Sequence, residues 1–205
     1  MTVKHFPQLS DSGCNAYLIE NGGVTVLIDA PDSAVKGVKE SGQKLAAVIL
    51  THGHFDHISG LREIIKVSGA EVYIHEAEIP MLTDTAFNLA DMYYESGSFP
   101  VYDGKVNGLK DGDVVNIAGL NFRIFHAPGH TPGLIAVQTD DMIFTGDFIF
   151  ESSIGNTSFP NSNPQDMAAS LKRFVNTFGD KDYTLYPGHG GKTTMFRELN
   201  RNPFL

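Results

Sequence analysis

Residues 50–60 read L-T-H-G-H-F-D-H-I-S-G and set His52, His54, Asp56 and His57 within six positions. Upstream, residues 45–50 (L-A-A-V-I-L) form an unbroken apolar run of strand length. Downstream, Ile58, Leu61, Ile64 and Ile65 recur at helical spacing. The order is therefore a buried strand, a loop crowded with ligand atoms, then a helix over 58–68. Loops at strand ends on a rigid scaffold are where chemistry is usually mounted. Imidazole and carboxylate together suit zinc, iron or manganese. The plain alternative is a polar loop that happens to contain histidines, and the density of the cluster weighs against it.

Three other stretches repeat the construction. Pro128-Gly129-His130-Thr131-Pro132-Gly133 follows an alternating strand over 121–126. Thr145-Gly146-Asp147 follows a strand over 142–145, and Pro187-Gly188-His189-Gly190 follows one over 183–186. Each time a strand ends, glycine permits a tight turn, and a His or Asp is presented. If the four strand ends meet at one edge, the ligands are His52, His54, Asp56, His57, His130, Asp147 and His189. Seven exceed the needs of one tetrahedral ion and suit two ions sharing a carboxylate. His52, His54 and His130 can serve one ion, and Asp56, His57 and His189 the other, with Asp147 as the bridge. An open position on each ion is the mark of a catalytic site. A water shared by two such ions ionises near neutrality, since one zinc already brings its pKa to ~7. The sequence thus predicts hydrolysis, with Asp56 and Asp147 as catalytic carboxylates.

The succession T-H-G-H-F-D-H, P-G-H-T-P-G, T-G-D and P-G-H-G resembles the metallo-β-lactamase superfamily, and it runs nearly the whole length of the chain. The resemblance implies an αββα sandwich of two packed mixed sheets with helices outside. Within the superfamily, His57 directly after Asp56 is similar to dinuclear hydrolases rather than to true β-lactamases. His54 stands where the flavodiiron branch carries glutamate. Gly146 to Phe150, Ser153 to Thr157, and a tail with Thr193, Thr194, Glu198 and Asn202 to Leu205 resemble short, single-domain glyoxalase II-like (hydroxyacylglutathione hydrolase-like) enzymes. That resemblance implies thioester or ester hydrolysis with two divalent ions, zinc first and iron or manganese as alternatives. Two departures weaken the glutathione part of it. The chain ends where classical glyoxalase II adds a helical domain, and Asn156 stands where that group usually carries Arg or Lys. The resemblance leaves an alternative, a persulfide dioxygenase holding one iron on His52, His130 and Asp147. Lactonase or phosphodiesterase activity is third. A non-catalytic metal-binding protein is disfavoured because all seven ligands are present.

The remaining composition bounds the reading. The 205 residues suit one domain, 1–205. A 41% hydrophobic content is ordinary for a chain with a sizeable core. The formal net charge of -9, without any Lys/Arg block, disfavours nucleic acid and leaves a small molecule as the expected partner. No apolar stretch approaches the ~18 residues of a membrane span, and the N-terminus lacks a signal core, so a cytoplasmic location is expected. The single cysteine, Cys14, excludes an intrachain disulfide and is expected to pack rather than react. His5, His75 and His126 lie outside the motifs and are expected to be structural or superficial.

The first half should open with a strand over 3–6 and a hairpin over 15–29 turning at Asn21-Gly22-Gly23. A weak helix over 33–41 and a strand over 71–75 follow. The second half restarts with strands over 114–117, 121–126, 135–139 and 142–145, then a helix over 164–178, where Met167, Leu171, Phe174 and Phe178 share a face. A short helix over 193–200 closes the chain. Between the halves, residues 77–97 read as a polar, inserted helical flap. Phe87 and Tyr93 in it, with Asn156, are the candidate substrate contacts.

Overall fold

The computed structural model describes residues 1–9 and 13–205. The first sheet holds β1 (Thr2–Phe6), β2 (Ala16–Asn21), β3 (Val24–Ile28), β4 (Lys44–Ile49), β5 (Glu71–His75) and β6 (Asn107–Leu109), in that spatial order. β1, β2 and β3 pair antiparallel, and β3 through β6 pair parallel. The second sheet is built from β7 (Val114–Ile117), β8 (Leu120–His126), β9 (Ile135–Thr139) and β10 (Met142–Gly146). After a small hairpin of β11 (Ile149–Phe150) and β12 (Ser153–Ile154), it is completed by β13 (Thr184–Pro187) and β14 (Thr193–Thr194). Its order is β14-β13-β10-β9-β8-β7, antiparallel except for the β10–β13 pair. Both sheets are mixed, as expected.

Period-two alternation assigns each strand residue to one of two layers. Ile19, Val26, Ile28, Ala47 and Ile49 meet Phe122, Ile124, Ile135, Val137 and Phe144 between the sheets. Their neighbours point outward. Leu18, Leu27 and Val48 pack under helices α1 (Asp32–Glu40) and α3 (Leu61–Ser68). Phe125, Ala136, Ile143 and Leu185 pack under α4 (Pro164–Phe178) and Met195 of α5 (Met195–Arg201). Strands covered on both faces therefore read as unbroken apolar runs, which is why 45–50 lacks alternation. The result is the expected αββα layering.

α3 and α4 end where their sequences say they should. α4 matches its expected bounds. Asn163 caps it by accepting from the amides of Gln165 and Asp166, Pro164 occupies the first turn, and Met167, Leu171, Phe174 and Phe178 are buried. Each such apolar side chain contributes ~1.5–3 kcal/mol on burial, so Phe174→Ala alone would cost ~3–5 kcal/mol. α3 stops at Gly69, whose φ of 66° is the left-handed cap. The predicted helix over 58–68 is instead two pieces: α2 (Phe55–Ile58), then α3, joined through Ser59 and Gly60. Gly60 packs so closely that a Cβ there would lie 2.4 Å from the Pro31 carbonyl oxygen, and its amide donates to Ala30. That docking ties the metal-ligand loop to the end of β3.

The expected helical flap is corrected. Residues 77–97 carry two short 3-10 helices, Glu76–Leu82 and Ala90–Met92, and no α-helix. Met81, Leu82, Leu89 and Ala90 are buried, three of them in the core of the first sheet. Local side chains explain the irregular path. Asp84 Oδ1 accepts from the amides of Ala86 and Phe87, and Asn88 bonds the Met81 carbonyl and the Ala90 amide. Such bonds compete with helical ones. Among the described residues, no helix is long and apolar enough to cross a membrane.

Candidate metal centre

All seven predicted ligands come together at the strand ends on one edge of the sandwich. His52 and His54 lie in the loop after β4, Asp56 and His57 on α2, His130 after β8, Asp147 after β10, and His189 after β13. His54 Nδ1 is 3.1 Å from His52 Nε2 and 2.9 Å from His130 Nε2. Opposite them, His189 Nε2 is 3.3 Å from Asp56 Oδ2, and His57 Nε2 is 3.7 Å from the same oxygen. Asp147 stands between the sets. Its Oδ2 is 3.4 Å from His130 Nε2 and 3.3 Å from His189 Nε2, and its Oδ1 is 3.2 Å from His57 Nε2.

This donor set fits divalent ions. Nitrogens bound to one tetrahedral zinc at ~2.0–2.1 Å lie about 3.3 Å apart, close to the spacing of His52, His54 and His130. Those three donors converge within 4.8 Å of one another. His57 Nε2 and Asp147 Oδ1 are buried without a hydrogen-bond partner, which costs free energy unless something else satisfies them.

The two sets differ in charge. Burial, with neighbouring imidazoles, holds His52 well below its usual pKa and His54 down to about 3. Burial also lowers His130, although Asp147 opposes it. These three are neutral ligands at pH 7. In the other set burial also disfavours charge, but the carboxylates outweigh it. Asp147 and Asp56 raise His189 to about 9. Asp29, Asp56 and Asp147 hold His57 well above its usual value. In return, His189 and His57 keep Asp147 ionised against its burial, and the same two histidines do so for Asp56.

Several supporting residues had not been singled out. Asp29 Oδ2 accepts from His57 Nδ1 at 2.9 Å, so Nε2 faces the site. Thr51 fixes Asp29 in turn through its amide and hydroxyl. Asp29 ends β3 with a φ of 59°, a left-handed backbone that Asp tolerates. It too is a strand-end aspartate, and this signal could have been read. Glu78 gave no signal. Its buried carboxylate accepts from the Gly53 amide at 2.8 Å and the Gly133 amide at 2.6 Å, clamping the loop of His52 and His54 to that of His130. Such outer partners orient metal ligands.

The candidate substrate contacts divide. Tyr93 lines the cleft over the ligands, together with Phe55, Leu89 and Phe159. Phe87 does not line it; its carbonyl accepts from Asn161. Asn156 does not line the cleft either: its side-chain oxygen accepts from the Ser158 amide, while its carbonyl lies 2.8 Å from His130 Nδ1. It therefore fixes the ring of His130. Cys14 is fully buried, with its thiol on the Asp56 carbonyl and its pKa pushed up by burial to about 12. His5 packs on Tyr17, and His75 stacks on His126 at 4.2 Å, away from the cleft.

Comparison with known proteins finds relatives along nearly the whole chain. The profile of the Metallo-beta-lactamase superfamily matches residues 9–189. Hydroxyacylglutathione hydrolase GloC of Haemophilus influenzae is 28% identical over 95% of this chain and 89% of its own. The crystal structure of BLEG-1, a B3 metallo-β-lactamase, superposes with a TM-score of 0.89 at 27% identity, covering 100% of this chain and 99% of that one. A structure of TTHA1623 in a di-iron-bound form gives 0.82 at 32% identity, covering 97% and 98%.

Proposed function

The chain belongs to the metallo-β-lactamase superfamily, and on that premise we propose that it is a dinuclear metallo-hydrolase that cleaves thioesters or esters. The observation that supports the proposal is the position of Asp147, whose two oxygens face histidines of both proposed ligand sets. The name of the GloC relative supports the thioester class, and the di-iron form of TTHA1623 supports two ions per chain, with iron beside zinc as their identity.

His52, His54 and His130 would hold one ion, Asp56, His57 and His189 the other, and Asp147 would be shared. When bound, such ions supply Lewis-acid polarisation of the substrate carbonyl and an acidified water. The protein does the rest. Asp29 Oδ2 and the Asn156 carbonyl hold the rings of His57 and His130 from behind, so each presents Nε2 forward. Gln8 Oε1, 3.1 Å from His189 Nδ1, does the same for His189. The ionised carboxylates of Asp56 and Asp147 border the cleft and can accept a hydrogen bond from an attacking water. Phe55, Leu89 and Phe159 shield these groups from bulk water, which strengthens every electrostatic interaction inside.

The test is metal quantification of protein purified without added metal, followed by a panel of thioester, lactone and phosphodiester substrates. Two ions per chain with thioester or ester turnover is the expected result. One iron per chain, with oxygen uptake on a persulfide, would overturn it in favour of the dioxygenase alternative.

A further inference from the structure

We propose, resting on the hydrolase reading, that the cleft selects substrates whose portion remote from the scissile bond is uncharged and apolar, and that Tyr93 is the platform for that portion. The wall above the ligands consists of Phe55, Leu89, Tyr93 and Phe159. Tyr93 stacks on Phe55 at 4.4 Å with 25° between the rings, yet remains 58% exposed. Its outer face is therefore held in place and open. Phe159 stands edge-on to His54 and His130, at 5.5 and 5.7 Å, so the aromatic surface reaches the ligand rings themselves.

No lysine or arginine lines the cleft. This covers all 15 of them, because residues 10–12 are Ser, Asp and Ser. Lys192, three positions beyond His189, is exposed and is not part of the wall. Asn156 is not part of the wall, and its side-chain oxygen accepts from the Ser158 amide. An anionic tail would lie against aromatic faces, which carry the negative end of the ring quadrupole, and would leave water without a partner. The charge of bound ions would act most strongly on the group at the bottom of the cleft and fall off by screening towards its mouth. The cleft volume is about 160 Å³, below the ~300–1,000 Å³ of sites that enclose a drug-sized ligand. Anything larger than a short acyl group must therefore extend beyond the cleft, where the exposed face of Tyr93 borders it.

The experiment uses metal-loaded protein and two non-hydrolysable phenethyl thioethers, one of mercaptoethanol and one of mercaptoethanesulfonate. They share the aryl group and differ by an anion that ligates metals poorly. The neutral compound should bind at least tenfold tighter, and Tyr93→Ala should erase most of its affinity while Tyr93→Phe keeps it. With the matching thioester, Tyr93→Ala should raise KM and leave kcat nearly unchanged. Equal or tighter binding of the sulfonate, or no binding of either compound, overturns the inference. Absence of turnover with two ions bound would instead overturn the hydrolase reading, and the ratio of the two affinities would still decide this one.

Discussion

Asp147 Oδ1 lies 3.2 Å from His57 Nε2, and neither buried atom has a hydrogen-bond partner. An imidazole nitrogen and a carboxylate oxygen in such contact, with no directed bond to either, can hold a cation between them once the proton of His57 is displaced. Asp147→Ala should therefore lower the bound metal from two ions per chain to one or none and abolish turnover, since Asp147 faces both sets. Unchanged metal content in Asp147→Ala would show that this carboxylate bridges nothing.

The two ligand sets should load at different pH. His52, His54 and His130 are already neutral at pH 7, so an ion there displaces no proton at or above that pH. His57 and His189 are held protonated, His189 up to about pH 9, and an ion must displace those protons. Affinity of the second set should therefore rise with pH until about 9, while the first set changes little over that range. Titration calorimetry at pH 7 and pH 8.5 reads this directly. Two sites of equal pH dependence would contradict the charge asymmetry.

Gly188 has no room for a side chain. A Cβ there would sit 2.4 Å from Asp147 Oδ1 and 2.7 Å from His57 Cε1. Gly188→Ala should push those two groups off their positions and weaken metal binding at least tenfold. The apo protein should still fold, because the conflict lies with side chains at the edge of the sandwich. A far-ultraviolet circular dichroism spectrum matching the parent, alongside lost metal, is the expected pair of observations.

Glu78 joins two loops that are 80 residues apart in sequence, at Gly53 and Gly133. Burial raises its pKa, and the two amides offset this only in part. Glu78→Ala leaves both amides unpaired, at ~1–3 kcal/mol each. The urea midpoint of the apo protein should fall accordingly, and the ion held by His52, His54 and His130 should be the weaker-bound of the two. Glu78→Gln, which keeps one carbonyl acceptor, should lose less.

Cys14 should be inert in the folded apo protein. It is fully buried and burial raises its pKa from 9.0 to about 12, so almost no thiolate exists at pH 8. A disulfide reagent should react with it only after unfolding. The unfolded thiol ionises near 9 while the folded one does not, so this group's contribution is complete below pH 9 and is lost as pH rises from 9 towards 12. Prompt reaction of the native protein would mean that the N-terminal segment opens.

What the sequence determined by itself was whatever depends on spacing along the chain. The ligand-rich loop after residues 45–50, the repeated strand-end turns at His130, Asp147 and His189, and the apolar face of α4 are local patterns, and each was legible. A helix break at Ser59 and Gly60 was not, because it is set by the docking of Gly60 on Ala30 and Pro31 rather than by propensity. The 77–97 segment misled for the same reason. Its irregular turns are fixed by Asp84 and Asn88, and its apolar residues belong to a core whose other half lies far away in sequence. Only the tertiary structure decided which oxygen of Asp147 faces which histidine, that Glu78 and Asp29 support the ligands, and that Asn156 uses its carbonyl instead of its side chain. Residue type and periodicity record which groups a strand end can present. Distances between strand ends, and the burial that shifts their charges, exist only once the two sheets have packed together.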